Sequence, residues 1–191
     1  MPGRPRDPEL DTRLLSAAWS LLTTEGYDAL SLTKVATRAG AHRTDVYRRW
    51  SSKAQLVADV LAEHLPPVAA VDTGALASDL RAYVHDLAAS WSATWMDGLV
   101  GFLGDLRTDP DAELAFRLVG ERRGQSMRAA LARAVERGEL AELPDLSLTG
   151  DLIEGPLMHR RMIGRQPLTP EYLDALASVA HRLLTSGQVT A

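Results

Sequence analysis

Cysteine is absent from the 191 residues. Disulfides, thiolate metal sites, iron–sulfur clusters and cysteine nucleophiles are excluded with it. Aromatic residues are sparse, at 5%, and only two are phenylalanine. No apolar run approaches the roughly 18 residues that a spanning helix requires, so no membrane segment is expected. The start, Met1-Pro2-Gly3-Arg4-Pro5-Arg6-Asp7, is polar and proline-rich with no apolar segment behind it. A signal peptide is therefore not expected, and a cytoplasmic protein is the default. Alternating runs of β-branched residues, the mark of strands, are missing.

Enzyme signatures are missing too. The five histidines are scattered, without the spacing of a zinc-binding helix. There is no G-x-G-x-x-G, no P-loop and no G-x-S-x-G elbow. Asp109, Asp111 and Glu113 cluster, but they read better as acids at a helix start than as a catalytic set. No catalytic residue, cofactor or metal is expected.

Net positive charge is also lacking: the formal balance is −4. Taken alone, that argues against nucleic acid, because phosphate rewards Lys and Arg. The charge is unevenly spread, however. Residues 1–53 hold nine Lys or Arg against six Asp or Glu, a balance of +3; residues 54–191 hold twelve against nineteen, a balance of −7. Arg43, Arg48, Arg49 and Lys53 fall within one short stretch whose only acid is Asp45.

What is abundant is helical periodicity, so the expected fold class is all-α, with about nine helices. Asp7-Pro8-Glu9 reads as cap, first-turn proline and first-turn acid, and Gly26 as the stop. Ser31 starts a short helix that ends at Gly40. A second runs from about Arg43 to Trp50. Ser52 and Gln55 have capping-box spacing for a fourth, ended by Pro66-Pro67. A fifth spans Leu76 to Trp91 and a sixth Trp95 to Leu106. A seventh runs from Asp109-Pro110 to Val135, with a kink or break near Gly124. An eighth covers Leu148 to Ile163, interrupted at Gly155-Pro156. A ninth starts at Thr169-Pro170.

Two short helices around Gly40-Ala41 make a helix-turn-helix candidate. Leu32, Val35 and Ala36 would hold the first helix, and Val46 and Trp50 would anchor the second. Arg43, Thr44, Tyr47 and Arg48 would then face outward. A major groove about 12 Å wide admits one such helix, and Arg can donate two bonds to guanine O6 and N7. Ser31 suits both a cap and a phosphate contact. Trp50 reads as packing, and Tyr47 as either a contact or a half-buried support.

Residues 8–65 resemble the N-terminal domain of TetR/AcrR-family transcriptional regulators. The matching residues are Gly26-Tyr27, Ser31, Val35-Ala36, Ala39-Gly40, Val46-Tyr47, Trp50 and Ser52-Lys53 followed by Leu56. The resemblance implies that Ser31, Tyr47 and Lys53 contact backbone phosphates, and that Arg43, Thr44 and Arg48 reach bases or phosphates. Two positions depart from the family pattern. His42 stands where Ser often caps the second helix; it either contacts phosphate or is simply exposed. Asp45 stands where Thr is common. It either hydrogen-bonds back to the helix start, accepts from a cytosine amino group, or repels DNA. Arg4 and Arg6 form a polar arm that would touch DNA only if the neighbouring helices bind it.

The resemblance further implies a three-helix DNA-binding domain in residues 1–53 and a ligand-binding and dimerisation domain in 54–191. The protein would be a homodimer through its last two helices, about 148–164 and 170–186, on a double-stranded operator. It would be a repressor released by a small-molecule inducer. Trp91, Trp95, Met96, Phe102, Phe116, Met127, Met158 and Met162 are the pocket candidates, though each also reads as ordinary core. His85, Asp86, Arg117, Glu121 and His159 are possible polar partners. The competing reading is a helical small-molecule-binding protein or enzyme without specific DNA binding.

Overall fold

Asp7 accepts hydrogen bonds from the backbone N–H groups of Glu9 and Leu10, and Pro8 fills the first turn behind it. These two residues satisfy helix-start donors and preset the backbone. The resulting helix, α1 (Pro8–Glu25), buries Leu14, Ala17, Ala18, Leu21 and Leu22 along one face. The computed structural model describes residues 7–65, 67–91, 96 and 99–187. The Arg4–Arg6 arm, Pro66 and the pocket candidate Trp95 lie outside them.

Ser31 caps α2 (Leu32–Ala39) by accepting from the Lys34 N–H. The helix stops at Gly40, whose φ of 61° is left-handed, and the Ala41 N–H returns to the Ala36 carbonyl at 2.9 Å. A residue with a side chain would meet a cost of about 1–2 kcal/mol in that conformation. α3 (Arg43–Tyr47) begins after only two more residues and is shorter than its apolar spacing predicts. Beyond Tyr47 the chain tightens, with the Arg49 N–H on the Val46 carbonyl, and brings Trp50 inward. α4 (Lys53–His64) starts at Ser52, which accepts from the Gln55 N–H at 3.0 Å. The Gln55 side chain answers to the N–H and hydroxyl of Ser51, one residue earlier than a standard capping box.

The chain forms two compact units. The first comprises Met1–Pro66 with Thr94–Gly120. In it α1 packs on α2 and α4, α2 on α3, and α4 on α6 (Val100–Leu106). The residues of α7 (Pro110–Arg123) up to Gly120 belong to the same unit.

The second unit comprises Pro67–Ala93 with Glu121–Ala191. α5 (Leu76–Trp91) is its centre, packed by α8 (Gln125–Glu136), α9 (Leu146–Met158) and α10 (Pro170–Thr185). Leu80, Val84, Leu87, Leu131, Ile153 and Leu157 are fully or almost fully buried in this core. Polar bonds close its rim. The buried Asp79 accepts from the backbone and hydroxyl of Thr73 and pairs with Arg137 at 3.4 Å. Arg81 and His85 share the carboxylate of Asp174, each at 2.7 Å.

Ten α-helices occur among the described residues, and no strand. The count exceeds nine because the predicted seventh helix is two: the chain breaks at Gly124, between α7 and α8. The expected interruption at Gly155-Pro156 does not occur. α9 runs through Pro156, because Ile153 and Leu157, one turn apart, are both locked in the core. The missing proline N–H removes one ladder bond, and the Tyr172 hydroxyl donates to the Pro156 carbonyl at 3.2 Å. The irregularity falls later, in a π-helical turn at His159–Ile163, where the Gly164 N–H reaches the His159 carbonyl. No described helix is long and apolar enough to cross a membrane.

Candidate nucleic-acid interface

Val46 is fully buried and Trp50 nearly so, which fixes one side of α3 and the turn after it. The Trp50 indole N–H also donates to Asp59 on α4 at 2.8 Å. With that side anchored, His42, Arg43, Thr44, Tyr47 and Arg48 all fall on exposed positions. Tyr47 is 55% exposed, so it is not a half-buried support. His42 sits at the cap position of α3 without a side-chain capping bond. Arg43 donates through Nε and a terminal nitrogen to the Thr33 hydroxyl, at 3.1 and 2.7 Å, which ties α3 to α2.

Asp45 does not turn back to the helix start as one of the expectations held. Its carboxylate lies 2.9 Å from Arg48 and 3.9 Å from Arg49. The cations one turn later are the stronger attraction. The two arginines then part company. Arg48 has a side chain 68% exposed, whereas that of Arg49 is 4% exposed and is bonded to Asp11 on α1 and to the Asp45 carbonyl. Arg49 is thus a staple between α1 and α3.

Ser31 is exposed, with its hydroxyl capping α2. Lys53 is half-buried at the start of α4. Its ammonium lies 3.9 Å over the Tyr27 ring and 3.3 Å from the Tyr27 carbonyl. Tyr27 itself is buried. Its hydroxyl donates to Asp105 of α6 at 2.5 Å, and its ring meets Phe102 edge-on at 5.6 Å. Burial, and next the Asp105 carboxylate, hold the phenol well above its ordinary pKa.

More carboxylates from the α6–α7 corner reach the same end of α4. The Ser52 hydroxyl donates to Asp109, and the Gln55 amide donates to Asp111 at 3.1 Å. Asp109 also serves as the expected helix-start acid, accepting from the Ala112 N–H at 3.0 Å. These contacts bridge up to 78 residues, and local spacing carries no sign of them.

The pocket candidates are distributed over both units. Met96, Phe102 and Phe116 belong to the first unit, where the Phe102 and Phe116 rings meet edge-on at 5.2 Å. Trp91, Met127, Met158 and Met162 belong to the second. Met127 is buried in its core, Trp91 packs against that core, Met162 is half-buried and Met158 is exposed. Of the polar candidates, His85 is engaged by Asp174, and Asp86 accepts from the Ala69 N–H at 2.7 Å. Arg117, Glu121 and His159 are exposed.

Residues 14–60 match the model of bacterial regulatory proteins of the tetR family, and residues 70–180 match the tetracyclin repressor-like C-terminal domain. The chain is 32% identical to the uncharacterized HTH-type transcriptional regulator YdeS of Bacillus subtilis over 94% of its length and 92% of that protein's. It is 34% identical to the DNA-binding transcriptional repressor TetR of Mycobacteroides abscessus, over 85% of this chain and 87% of that one. A crystal structure of a TetR family transcription regulator superposes with a TM-score of 0.71 at 27% identity, covering 94% of this chain and 98% of the other. The matches span both the helix-turn-helix and the larger helical region, and they agree with the exposed α3 face: the chain belongs to the TetR family of DNA-binding transcriptional regulators.

Proposed function

We propose that this regulator is a cytoplasmic, homodimeric repressor that leaves its operator when a small molecule binds. DNA recognition is assigned to residues 1–53, and ligand binding and dimerisation to 54–191. The observation that carries the DNA assignment is the exposed set His42, Arg43, Thr44, Tyr47 and Arg48 opposite the buried Val46 and Trp50. Arg43, Thr44 and Arg48 reach bases or phosphates; Ser31, His42, Tyr47 and Lys53 hold phosphates. The Arg48 guanidinium is exposed and Asp45 keeps Arg49 nearby, so releasing Arg48 to DNA costs little, about 0–1 kcal/mol.

Dimerisation through α9 and α10 is supported by Leu148 and Met158 on α9 and Val179 on α10, all exposed apolar side chains. A dimer presents two reading helices to half-sites about 34–36 Å apart. An inducer that binds the DNA-incompetent state more tightly shifts the population away from the operator. The relative in Mycobacteroides abscessus is itself a repressor, which supports the sign of the regulation. The chemistry is recognition, without a catalytic step.

Selection of bound fragments from a random DNA pool, followed by gel-shift titration at two salt concentrations, tests the reading. The expected result is a two-fold symmetric site, affinity that falls steeply with salt, and a dimer by sedimentation. Recovery of unrelated sequences with equal affinity would reject a sequence-reading role for α3.

A further inference from the structure

Lys53 is held in place by residues outside the helix-turn-helix. We propose that Asp105 and Gly101 of α6 are positioning residues for operator binding, acting through Tyr27 on the ammonium of Lys53. The inference rests on the reading of Lys53 as a phosphate contact.

Tyr27 is 1% exposed and fixed from several sides. Its hydroxyl is bonded to Asp105 at 2.5 Å, and Phe102 meets its ring edge-on. Gly101 adds a constraint of a different kind. A Cβ there would come within 2.5 Å of the Asp28 carboxylate and 3.1 Å of the Tyr27 ring. The carboxylate can swing away, but the Tyr27 ring, packed on its other sides, would have to give by a few tenths of an ångström. A hydrogen bond and a close backbone approach, made by two residues one helical turn apart, thus converge on one aromatic side chain.

That side chain is the seat of the lysine. Lys53 places its ammonium over the Tyr27 ring face and donates to the Tyr27 carbonyl. An ammonium has three N–H donors. The carbonyl takes one and the ring face another, so one is left for a phosphate oxygen, and Lys53 is open enough to meet it. A shift of α6 moves Tyr27 and therefore re-aims the remaining donor. Asp105 is an acid beside a DNA-binding cation, so bare charge and positioning predict opposite signs. Removing the acid should raise affinity if it merely repels DNA, and lower it if it holds Tyr27.

The test is the affinity of the full-length protein for its selected operator across a potassium chloride series. Lys53→Ala should weaken binding and reduce the slope of log affinity against log salt by about one. Asp105→Ala and Tyr27→Phe should each weaken binding about three- to tenfold and lower the same slope. Asp105→Asn, which keeps an acceptor for the phenol, should bind closer to wild type. Gly101→Ala should change binding in the same direction as Asp105→Ala, by a smaller factor. In the Lys53→Ala background, Asp105→Ala should have no further effect. If Lys53→Ala leaves affinity and slope unchanged, the phosphate reading of Lys53 fails and takes the positioning with it. If Lys53→Ala behaves as expected but Tyr27→Phe matches wild type, or Asp105→Ala tightens binding or adds independently to Lys53→Ala, the positioning alone is overturned. Tyr27→Phe, which removes only the hydroxyl that Asp105 holds, decides the matter if Asp105→Ala or Gly101→Ala does not fold.

Discussion

Arginine is used in opposite ways in the two units. In the second, Arg133 and Arg137 both meet Asp72 and the buried Asp79, and Arg81 meets Asp174. Each guanidinium there ties separate segments together. In the turn that ends α3, Arg49 behaves the same way with Asp11, but its neighbour Arg48 is exposed and, among the described residues, pairs with the nearby Asp45 of α3. A net charge counts all of these alike. The partner and the exposure separate a staple from a reading residue, which explains how a chain of net charge −4 belongs to a DNA-binding family.

The staple most deeply set is the one whose loss costs most. Asp79→Ala should lower stability by about 2–3 kcal/mol, because it leaves the Thr73 N–H and hydroxyl without their buried acceptor, while Arg137 keeps Glu139 and Asp72. Burial alone would raise the Asp79 pKa, but the Thr73 N–H and hydroxyl, with Arg137, outweigh it and hold the carboxyl below its ordinary value of 3.8. A depressed carboxylate contributes stability above its unfolded value and loses it as pH falls through the folded one. The Asp79 contribution should therefore be intact at neutral pH, start to fall only near the unfolded value of 3.8 and be lost as pH drops through the lower folded value, so the wild type and the variant approach each other in thermal unfolding only below that point.

Arg49→Ala should come next, with a loss of about 2 kcal/mol as the α1–α3 tie is broken. Its operator affinity per folded molecule should keep its sequence preference, as measured on the selected site and on a shuffled one. A loss of preference without a loss of stability would make Arg49 a reading residue and erase the contrast with Arg48.

Capping chemistry made most of these helices readable in advance. Asp7-Pro8, Ser31, Ser52 with Gln55, and Thr169-Pro170 each act on donors within about four residues, so their signatures are local. The exposed face of α3 was readable for the same reason: Val46 and Trp50 dictate which side turns outward. The ties from Arg49 to Asp11, Ser52 to Asp109 and Tyr27 to Asp105 were not, because they pair residues far apart along the chain. The apolar candidates for a ligand cavity divided between the units for a similar reason. Methionine and aromatic side chains fill a core and line a cavity with the same periodicity.

Arg48→Ala sharpens the comparison from the other side. It should weaken operator binding by about 1–2 kcal/mol and relax preference at one base pair, while unfolding stays within about 0.5 kcal/mol of wild type. Equal affinity for the selected site before and after the substitution would remove Arg48 from the reading set.

The smallest effect concerns the place where the second unit's arginine–acid pattern is least favourable. Arg123 is buried, donates to Ser90 at 2.9 Å and lies near Glu154 on α9. Burial raises the Glu154 pKa, and Arg123 offsets only part of that. For an acid with a raised folded value the sign reverses relative to Asp79. Its contribution is fullest below the unfolded value of 4.5 and is lost as pH rises through the folded one. Glu154→Gln imitates the protonated acid and should gain stability at pH 7, on the order of 0.5 kcal/mol, with no gain at pH 4. Melting curves of both proteins at the two pH values decide the matter. A less stable variant at pH 7 would mean that Arg123 depends on the Glu154 charge, and Glu154 would then join Asp79 and Asp174 as an ordinary staple.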